Sequence, residues 1–304
     1  MNNKSFLIAD VFTNERFGGN QLAVFTDGRG LDAETMQNIA REMNFSETTF
    51  LLPPEKGGDY RVRIFTPRSE LPFAGHPMVG SGFVIVAEKM KEWSEPVTVL
   101  QLETIVGLLR VEVETKQGRI GRSTMTQPLP EQKGTFTDTA RLAAALGVEA
   151  SEIDRTGLPV EPIYNGITTM IVPIATLAAV EQLKIDGGAL ARISREVGVD
   201  TVLMFTMETL APSSTVHCRV SAAAEGILED AATGSANGAF GSYLVRHKLV
   251  KVEPITRIVS EQGYEMKRPS LLHIEVSVDP SNAEVMGVRV GGGVVITARG
   301  EMFV

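Results

Sequence analysis

The sequence has a single cysteine, Cys218, among its 304 residues. One thiol cannot form an intramolecular disulfide, and it excludes a mechanism in which two thiols of the chain cooperate. No apolar run approaches the roughly 20 residues that a membrane-spanning helix needs. Near the N-terminus, Asp10 interrupts the apolar stretch before the hydrophobic region of a signal peptide could form. These absences predict a cytoplasmic protein with no membrane partner.

Positive charge is also scarce. The chain has 29 Lys and Arg against 37 Asp and Glu, a formal net charge of −8 and a pI near 5.2. Nucleic acids and anionic membranes are bound through clustered basic side chains, and the sequence contains no such cluster. The composition therefore argues against a nucleic-acid partner and leaves a small molecule as the expected ligand.

Motifs for metals and nucleotides are missing as well. The sequence has no Walker A, HExxH or GxSxG pattern, and its three consecutive glycines at 291–293 precede a strand instead of a helix. That order favours a close backbone approach over a dinucleotide site. The histidines are few and far apart, which predicts no metal site. They are His76, His217, His247 and His273.

The residues that are present indicate an ordinary globular protein, with 43% hydrophobic and 22% charged residues. A chain of this length fits one large domain or two lobes. Short β-branched strands outnumber helices, and parallel βαβ spacing is absent, which predicts an α+β fold. One helix has clear limits, because Asp32 is a good N-cap and Asn44 suits the left-handed residue that ends a helix.

An internal repeat divides the chain. Residues 39–43 (IAREM) resemble residues 193–197 (ISREV), 154 positions later, and the helix-entering glycines Gly75 and Gly234 are 159 positions apart. A nearly constant offset across separate elements is hard to obtain by chance. We therefore predict two homologous lobes, each a strand-rich shell around a central helix. The N-terminal lobe covers residues 1–126, completed by a strand at 294–304, and the C-terminal lobe covers residues 127–293.

The most informative stretch covers residues 226–241. It carries two adjacent carboxylates, Glu229 and Asp230, and then enters a small-residue helix near Ser235. The first N–H groups of such a helix, together with its dipole, favour an anion. Residues 74–82 have the same build, so we predict that the two stretches face each other across one site.

Individual side chains in these stretches have both a functional and an ordinary interpretation. Glu47 lies between a helix end and an apolar strand, where partial desolvation would suit general acid/base work, although the pattern alone favours a surface carboxylate at the start of a strand. His76 stands at a helix start, where the positive end of the dipole favours a neutral imidazole that could take part in catalysis. Its ordinary interpretation is a structural histidine near a helix cap. Ser235 could be an ordinary N-cap and Asp230 part of a solvated acidic turn.

Several motifs together resemble a known family. DVFT at 10–13, GGNQLAV at 18–24, NFSE at 44–47, RIFTP at 63–67, ELPFAGHP at 70–77 and EDAATGSA at 229–236 occur in this order. They resemble the PhzF-like isomerases of phenazine biosynthesis, which have the diaminopimelate-epimerase-like fold. The resemblance spans essentially the whole chain, and its strength lies in the combination of motifs.

The resemblance implies two pseudo-symmetric lobes, each a β-barrel-like shell around a central helix, in a homodimer that uses no cofactor and no metal. In the phenazine enzyme a glutamate moves a proton between ring carbons of trans-2,3-dihydro-3-hydroxyanthranilate, a small anionic substrate. By motif, Glu47 matches that glutamate, and His76 and Asp230 match catalytic partners that bind and polarise the substrate. The implied substrate-binding residues are Asn20, Gly75, Gly234 and Ser235.

Some positions differ from the family pattern. Gln21 and Ala231 stand where proline is common, and residues 221–224 (SAAA) replace the usual aromatic residue and proline. Diaminopimelate epimerase itself has cysteines at the two helix starts, where this chain has Gly75 and Gly234. The alternatives to the isomerase are therefore a thiol-free epimerase or racemase of a small amino or hydroxy acid, and a non-catalytic protein that binds small molecules.

Overall fold

The computed structural model describes residues 3–304, which form two compact units. The first contains the chain up to Thr126 together with Gly291–Val304, and the second contains Gln127–Val290. The described residues form eighteen strands and seven α-helices, which confirms the predicted α+β class. Among residues 3–304, no helix is both long and apolar enough to cross a membrane.

The elements in chain order up to Gln127 are β1 (Asn3–Val11), β2 (Asn20–Phe25), α1 (Ala33–Met43), β3 (Glu47–Leu52), β4 (Tyr60–Phe65), β5 (Glu70–Leu71), α2 (Gly75–Ala87), β6 (Val97–Thr104), β7 (Gly107–Lys116) and β8 (Arg119–Gln127). They are followed by β9 (Glu131–Gln132), α3 (Thr139–Leu146), α4 (Ala150–Asp154), β10 (Glu161–Tyr164), β11 (Thr168–Pro173), α5 (Leu177–Glu181) and α6 (Gly187–Val197). The last elements are β12 (Thr201–Thr206), β13 (Val216–Ala222), β14 (Ile227–Asp230), α7 (Gly234–Arg246), β15 (Ile255–Gln262), β16 (Ser270–Val278), β17 (Val285–Gly292) and β18 (Val294–Phe303).

The first unit is a set of mainly antiparallel strands around one buried helix. Strand β1 pairs antiparallel with β2 and β18, and the pairs β3–β4, β4–β5, β6–β7 and β7–β8 are antiparallel too. Two pairs, β2–β3 and β4–β6, are parallel. Helix α2 contacts β1, β2, β3, β4, β6, β7 and β18, and 11 of its 13 residues are buried. It is therefore the central helix of this unit.

Two glycines let α2 approach the strands closely. A Cβ at Gly80 would lie 2.5 Å from Cδ2 of Leu22, and a Cβ at Gly82 would lie 2.5 Å from Cγ1 of Val111. Both distances are far shorter than a carbon–carbon contact of about 3.5–4.0 Å. The run of small residues seen in the sequence is thus a packing requirement of a helix surrounded by strands.

The second unit repeats this topology. Strands β10–β11, β12–β13, β13–β14 and β15–β16 pair antiparallel, while β11–β12 and β13–β15 are parallel. Helix α7 has 12 of its 13 residues buried and contacts β11, β12, β15 and β16. Helices α1 and α6 both have 11 residues and begin at positions 33 and 187, 154 apart. The predicted internal repeat is confirmed.

The repeat extends to individual ion pairs. On β4, Arg63 donates to Glu70 through Nε and Nη2, at 2.7 Å each. On β13, Arg219 donates to Glu229 in the same way, at 2.8 and 2.7 Å. Paired hydrogen bonds from one guanidinium to one carboxylate fix both side chains more firmly than a single contact does. Each unit thereby ties its central strand to the short strand that precedes the buried helix.

A second repeated device is a glutamate that accepts hydrogen bonds from a loop backbone. Glu103 on β6 accepts from the N–H groups of Glu55, Lys56 and Gly58 at 2.5–2.8 Å. Glu261 on β15 accepts from the N–H groups of Leu210 and Ala211 at 2.9 and 2.8 Å. Glu103 is opposite Arg61 and Glu261 is opposite His217 in the parallel pairs, so the two glutamates occupy equivalent positions.

Candidate functional site

Helix α1 determines where Glu47 begins its strand. Asp32 caps the helix by accepting the N–H of Thr35 at 2.8 Å, and Asn44 ends it with φ 52° and ψ 30°. Both limits agree with the prediction. The chain then enters β3 at Glu47, which lies directly opposite Leu22 in the parallel pair β2–β3. Because parallel strands start at the same edge, Glu47 and the first residues of β2 lie side by side.

Glu47 contacts the buried start of α2. Its Oε2 is 3.2 Å from Nε2 of His76, and the two side chains are only 12% and 5% exposed. Asn20, the first residue of β2, is buried as well, and its Nδ2 is 3.4 Å from Nδ1 of His76. Both ring nitrogens of His76 therefore face a polar side chain. Asn20, Glu47, Gly75 and His76 form one cluster in the first unit.

The loop before Asn20 is held by Asp10. The buried Asp10 carboxylate accepts the N–H of Phe17 through Oδ2 at 2.7 Å. Gly19 has φ +63°, and a Cβ there would overlap the carbonyl oxygen of Val11. Only glycine adopts this backbone without strain in so narrow a space. The GGN motif is thus a turn that delivers Asn20 to the start of β2.

Burial keeps His76 neutral. Removal of the ring from water lowers the pKa of His76 to about 3, although a hydrogen bond with the backbone of Gln21 acts in the opposite direction. The sequence predicts a neutral imidazole from the helix dipole, whereas the cause found in the structure is burial. Because His76 adds no positive charge, its contact does not neutralise a carboxylate at Glu47.

We expect the His76 ring to stay neutral between about pH 5 and pH 8, as measured by ¹⁵N chemical shifts of its ring nitrogens. His217 is an internal control with the opposite behaviour. Burial alone would lower its pKa, but hydrogen bonds with Glu265 and Glu261 outweigh this and raise it. The signal that disappears in a His76→Gln variant identifies the ring, and titration of that signal near pH 6.5 would contradict the assignment.

In the second unit, Asp230 lies just before the buried helix α7. It is the last residue of β14 and pairs with Val220. Thr233 donates its hydroxyl to Oδ2 of Asp230 at 2.5 Å. Gly234 and Ser235, both buried, are the first two residues of α7. Asp230, Gly234 and Ser235 therefore lie close together in the sequence, between the end of β14 and the start of α7, and are called the second cluster.

The starts of α2 and α7 are arranged alike. Within residues 3–304, the side chains at the two N-cap positions, Ala74 and Thr233, make no capping hydrogen bond to their helices. Free N–H groups at a helix start, with the positive end of the dipole, suit a carboxylate ligand. The carbonyl groups of the first two residues of α7 accept hydrogen bonds from side chains. Gln127 donates to the carbonyl oxygen of Gly234 at 2.9 Å, and Asn165 donates to that of Ser235 at 2.8 Å.

Cys218 lies outside both clusters. It is fully buried on β13, where its Sγ is 3.4 Å from Oγ of Ser260. Burial raises the pKa of its thiol to about 12, so the thiolate is absent at neutral pH. Thiol chemistry by Cys218 is therefore disfavoured.

Sequence reasoning missed several polar residues around the second cluster. Gln262, Asn237, Gln127 and Asn165 are all buried and hydrogen-bonded near the start of α7. Gln262 is 32 positions from Asp230 and lies on a different strand. The repeat offset locates its strand, but single glutamines and asparagines carry no motif that would identify them beforehand.

Comparisons with known proteins agree with these features. The family profile described as phenazine biosynthesis-like protein, PhzC-PhzF, matches residues 9–300. An uncharacterized isomerase of Mesorhizobium japonicum is 36% identical over 100% of both chains. The trans-2,3-dihydro-3-hydroxyanthranilate isomerase of Pseudomonas aeruginosa is 34% identical over 98% of this chain and 99% of its own.

Solved structures give the same result. A Bacillus anthracis phenazine biosynthesis protein of the PhzF family has a TM-score of 0.90 and 27% identity, and the match covers 100% of both chains. A probable proline racemase from Agrobacterium radiobacter, 13% identical with a TM-score of 0.68 over 98% of this chain and 92% of its own, shares the fold alone. The predicted diaminopimelate-epimerase-like fold is confirmed. The chain belongs to the phenazine biosynthesis-like PhzC-PhzF family and is an isomerase.

Proposed function

We propose that the chain catalyses cofactor-independent proton transfer between carbons of a small carboxylate, with trans-2,3-dihydro-3-hydroxyanthranilate as its substrate. The substrate is taken from the name of the relative that is 34% identical over nearly the whole chain. One observation carries the chemistry: the carboxylate of Glu47 lies 3.2 Å from an imidazole that burial keeps neutral.

Glu47 acts as the only proton carrier in this proposal. Its carboxylate takes a proton from one carbon, and the electron pair of that C–H bond moves into the adjoining double bonds. The proton on the Glu47 carboxyl group exchanges with solvent, and Glu47 then returns a proton to another carbon of the same molecule, so no atom or electron is gained or lost. A cationic histidine would stabilise the carboxylate and weaken it as a base, whereas neutral His76 orients it without this penalty.

The remaining predicted residues bind the substrate. We assign substrate-binding roles to the N–H groups at the start of each buried helix, at Gly75 on α2 and at Gly234 on α7, with Ser235 as a further donor. Asp230 accepts hydrogen bonds from the substrate's amino or hydroxyl group. His76, which is placed against Glu47, and Asn20 hold the reacting part of the ring in position.

The internal repeat favours a single base over two opposed ones. Glu47 is opposite Leu22 in the parallel pair of the first unit, and the equivalent position of the second unit is Thr201, opposite Thr169. Thr201 is not an acid or base, and its hydroxyl is 2.8 Å from that of Thr169. Epimerisation needs acid/base groups on both faces of one carbon. A base at only one of two equivalent positions supports proton transfer between carbons.

The experiment is a conversion assay in D₂O with trans-2,3-dihydro-3-hydroxyanthranilate, followed by NMR. We expect an isomeric product that carries one solvent deuterium at the carbon that receives the proton. Proline and trans-4-hydroxyproline serve as parallel substrates for the epimerase alternative.

We also propose that the chain works as a homodimer in the cytoplasm, and light scattering on the same preparation tests the dimer.

Each alternative has its own outcome in this assay. Deuterium at the α-carbon of an amino acid together with inversion would replace the proposal by epimerisation. Saturable binding of the hydroxyanthranilate without any exchange would replace it by a non-catalytic binding protein.

A further inference from the structure

A buried hydrogen-bond network surrounds Asp230 on the protein side. Thr233 donates its hydroxyl to Oδ2 of Asp230 at 2.5 Å, a length typical of a bond to a charged oxygen. Gln262, which is 0% exposed at the end of β15, donates Nε2 to the carbonyl oxygen of Asp230 at 2.8 Å. The carboxylate and the backbone of Asp230 are thus held by two different residues.

The amide of Gln262 makes four hydrogen bonds, which is its full capacity. Its Nε2 also donates to Oγ1 of Thr233 at 3.0 Å, and its Oε1 accepts the N–H of Thr233 at 3.1 Å and Nδ2 of Asn237 at 2.9 Å. A backbone N–H can only donate and the Asp230 carbonyl can only accept. The orientation of the amide is therefore determined by its partners.

The orientation of the Gln262 amide determines the direction in which the Thr233 hydroxyl donates. Because Gln262 donates to the hydroxyl of Thr233, the hydrogen of that hydroxyl points elsewhere, and its partner is Oδ2 of Asp230. We propose that Gln262 is a positioning residue that directs the Thr233 hydroxyl onto Asp230 and so holds the Asp230 carboxylate for the substrate. The inference rests on the proposed function, in which Asp230 binds the substrate.

The first unit shows that the fold does not need this network. Helices α2 and α7 align with a constant offset of 159, from residue 75 to residue 234, so Ala74 and Met78 are equivalent to Thr233 and Asn237. Strand registers make Leu71 equivalent to Asp230 and Thr104 equivalent to Gln262. Thr104 instead donates its hydroxyl to the carbonyl oxygen of Gly107.

The glutamates next to Thr104 and Gln262, in contrast, have the same role in both units. Glu103 and Glu261 precede Thr104 and Gln262 directly, and both accept hydrogen bonds from a loop backbone. A residue that serves the architecture is thus present in both units, whereas the network around Asp230 is present in one. Its restriction to the unit with the proposed substrate-binding carboxylate points to a role in binding.

The test compares Gln262→Glu, Thr233→Val and the double variant in steady-state kinetics with trans-2,3-dihydro-3-hydroxyanthranilate. A carboxylate at position 262 still accepts from Thr233 and Asn237 but attracts the Thr233 hydroxyl away from Asp230. We expect each single variant to lower kcat/KM by about 10- to 100-fold, mainly through KM. Because both act on one bond, the double variant is expected to lose no more than the worse single one.

Thr233→Ser keeps the hydroxyl and is expected to restore kcat/KM to within about threefold of the wild type. Additive losses in the double variant would overturn the inference, because Gln262 would then act without Thr233. If Gln262→Glu has wild-type kinetics while Asp230→Asn is impaired, the inference about Gln262 is overturned, but the role proposed for Asp230 stands. Unchanged kinetics of Asp230→Asn would overturn the role proposed for Asp230 as well. If Gln262→Glu does not fold, the contrast between Thr233→Val and Thr233→Ser decides the same bond.

Discussion

Replacement of Glu47 by glutamine is expected to lower kcat by about 10²–10⁴-fold, the usual contribution of a positioned general acid/base. Glutamine keeps the shape of the side chain and can still contact Nε2 of His76, which is 3.2 Å from Oε2 of Glu47. An amide cannot accept a proton from carbon. Incorporation of solvent deuterium into the substrate or product should therefore disappear, while the unfolding midpoint in urea stays close to that of the wild type.

A matched control is Glu112→Gln in the same unit. Glu112 is a partly buried carboxylate on β7, 20% exposed, whose Oε1 accepts from Nε of Arg110 at 2.7 Å. It lies outside both clusters, so its removal should leave kcat unchanged. A Glu47→Gln enzyme that turned over and exchanged deuterium as fast as the control would remove Glu47 from the mechanism.

The sequence predicts the elements that have strong local signals. Asp32 and Asn44 define both ends of α1, and each performs the expected local task. The similarity of the segments around Ile39 and Ile193 leads to the repeat, which the equal lengths of α1 and α6 confirm. Gly291 and Gly293 are sites of close backbone approach, as predicted, since a Cβ at either would overlap polar atoms of Thr124 or Asn14.

Short elements and long-range contacts are harder to predict. No helix was predicted over residues 139–154, where α3 and α4 have 8 and 5 residues. Helices of about two turns or less show too few repeats of the apolar spacing to stand out. The same limit applies to His76, because its pKa depends mainly on how many atoms surround the ring in the folded chain. The sequence shows that His76 stands at a helix start, but it does not show the burial that lowers the pKa of the ring.

The internal repeat separates architecture from chemistry more sharply than any single motif. Arg63 and Arg219 hold equivalent ion pairs, which identifies these bonds as parts of the fold. At other equivalent positions the two units differ, with Glu47 against Thr201 and Leu71 against Asp230. Where two copies of one architecture have different residues at equivalent positions, the shared fold does not require either residue type. These are therefore the positions at which function is expected.

The largest expected loss of stability comes from Gly238→Ala in α7. A Cβ at Gly238 would overlap Oε1 of Gln127 and lie 3.1 Å from Nδ2 of Asn165. Overpacking costs about 1–3 kcal/mol, and buried carbonyls that lose their donors cost about 1–3 kcal/mol each. Alanine regains about 1 kcal/mol through its higher helix propensity. We expect the free energy of unfolding to fall by about 3 kcal/mol, measured in urea by circular dichroism.

Gly188→Ala in α6 provides the matched control. Gly188 is exposed, and a Cβ there would lie 3.4 Å from Oδ1 of Asp186, an ordinary contact. Only the gain in helix propensity applies, so this variant should be as stable as the wild type or more stable by up to about 1 kcal/mol. The two substitutions are chemically identical and lie in helices of the same unit. Equal stability changes would show that Gln127 and Asn165 move aside without cost, and that the start of α7 does not depend on the bonds they donate to Gly234 and Ser235.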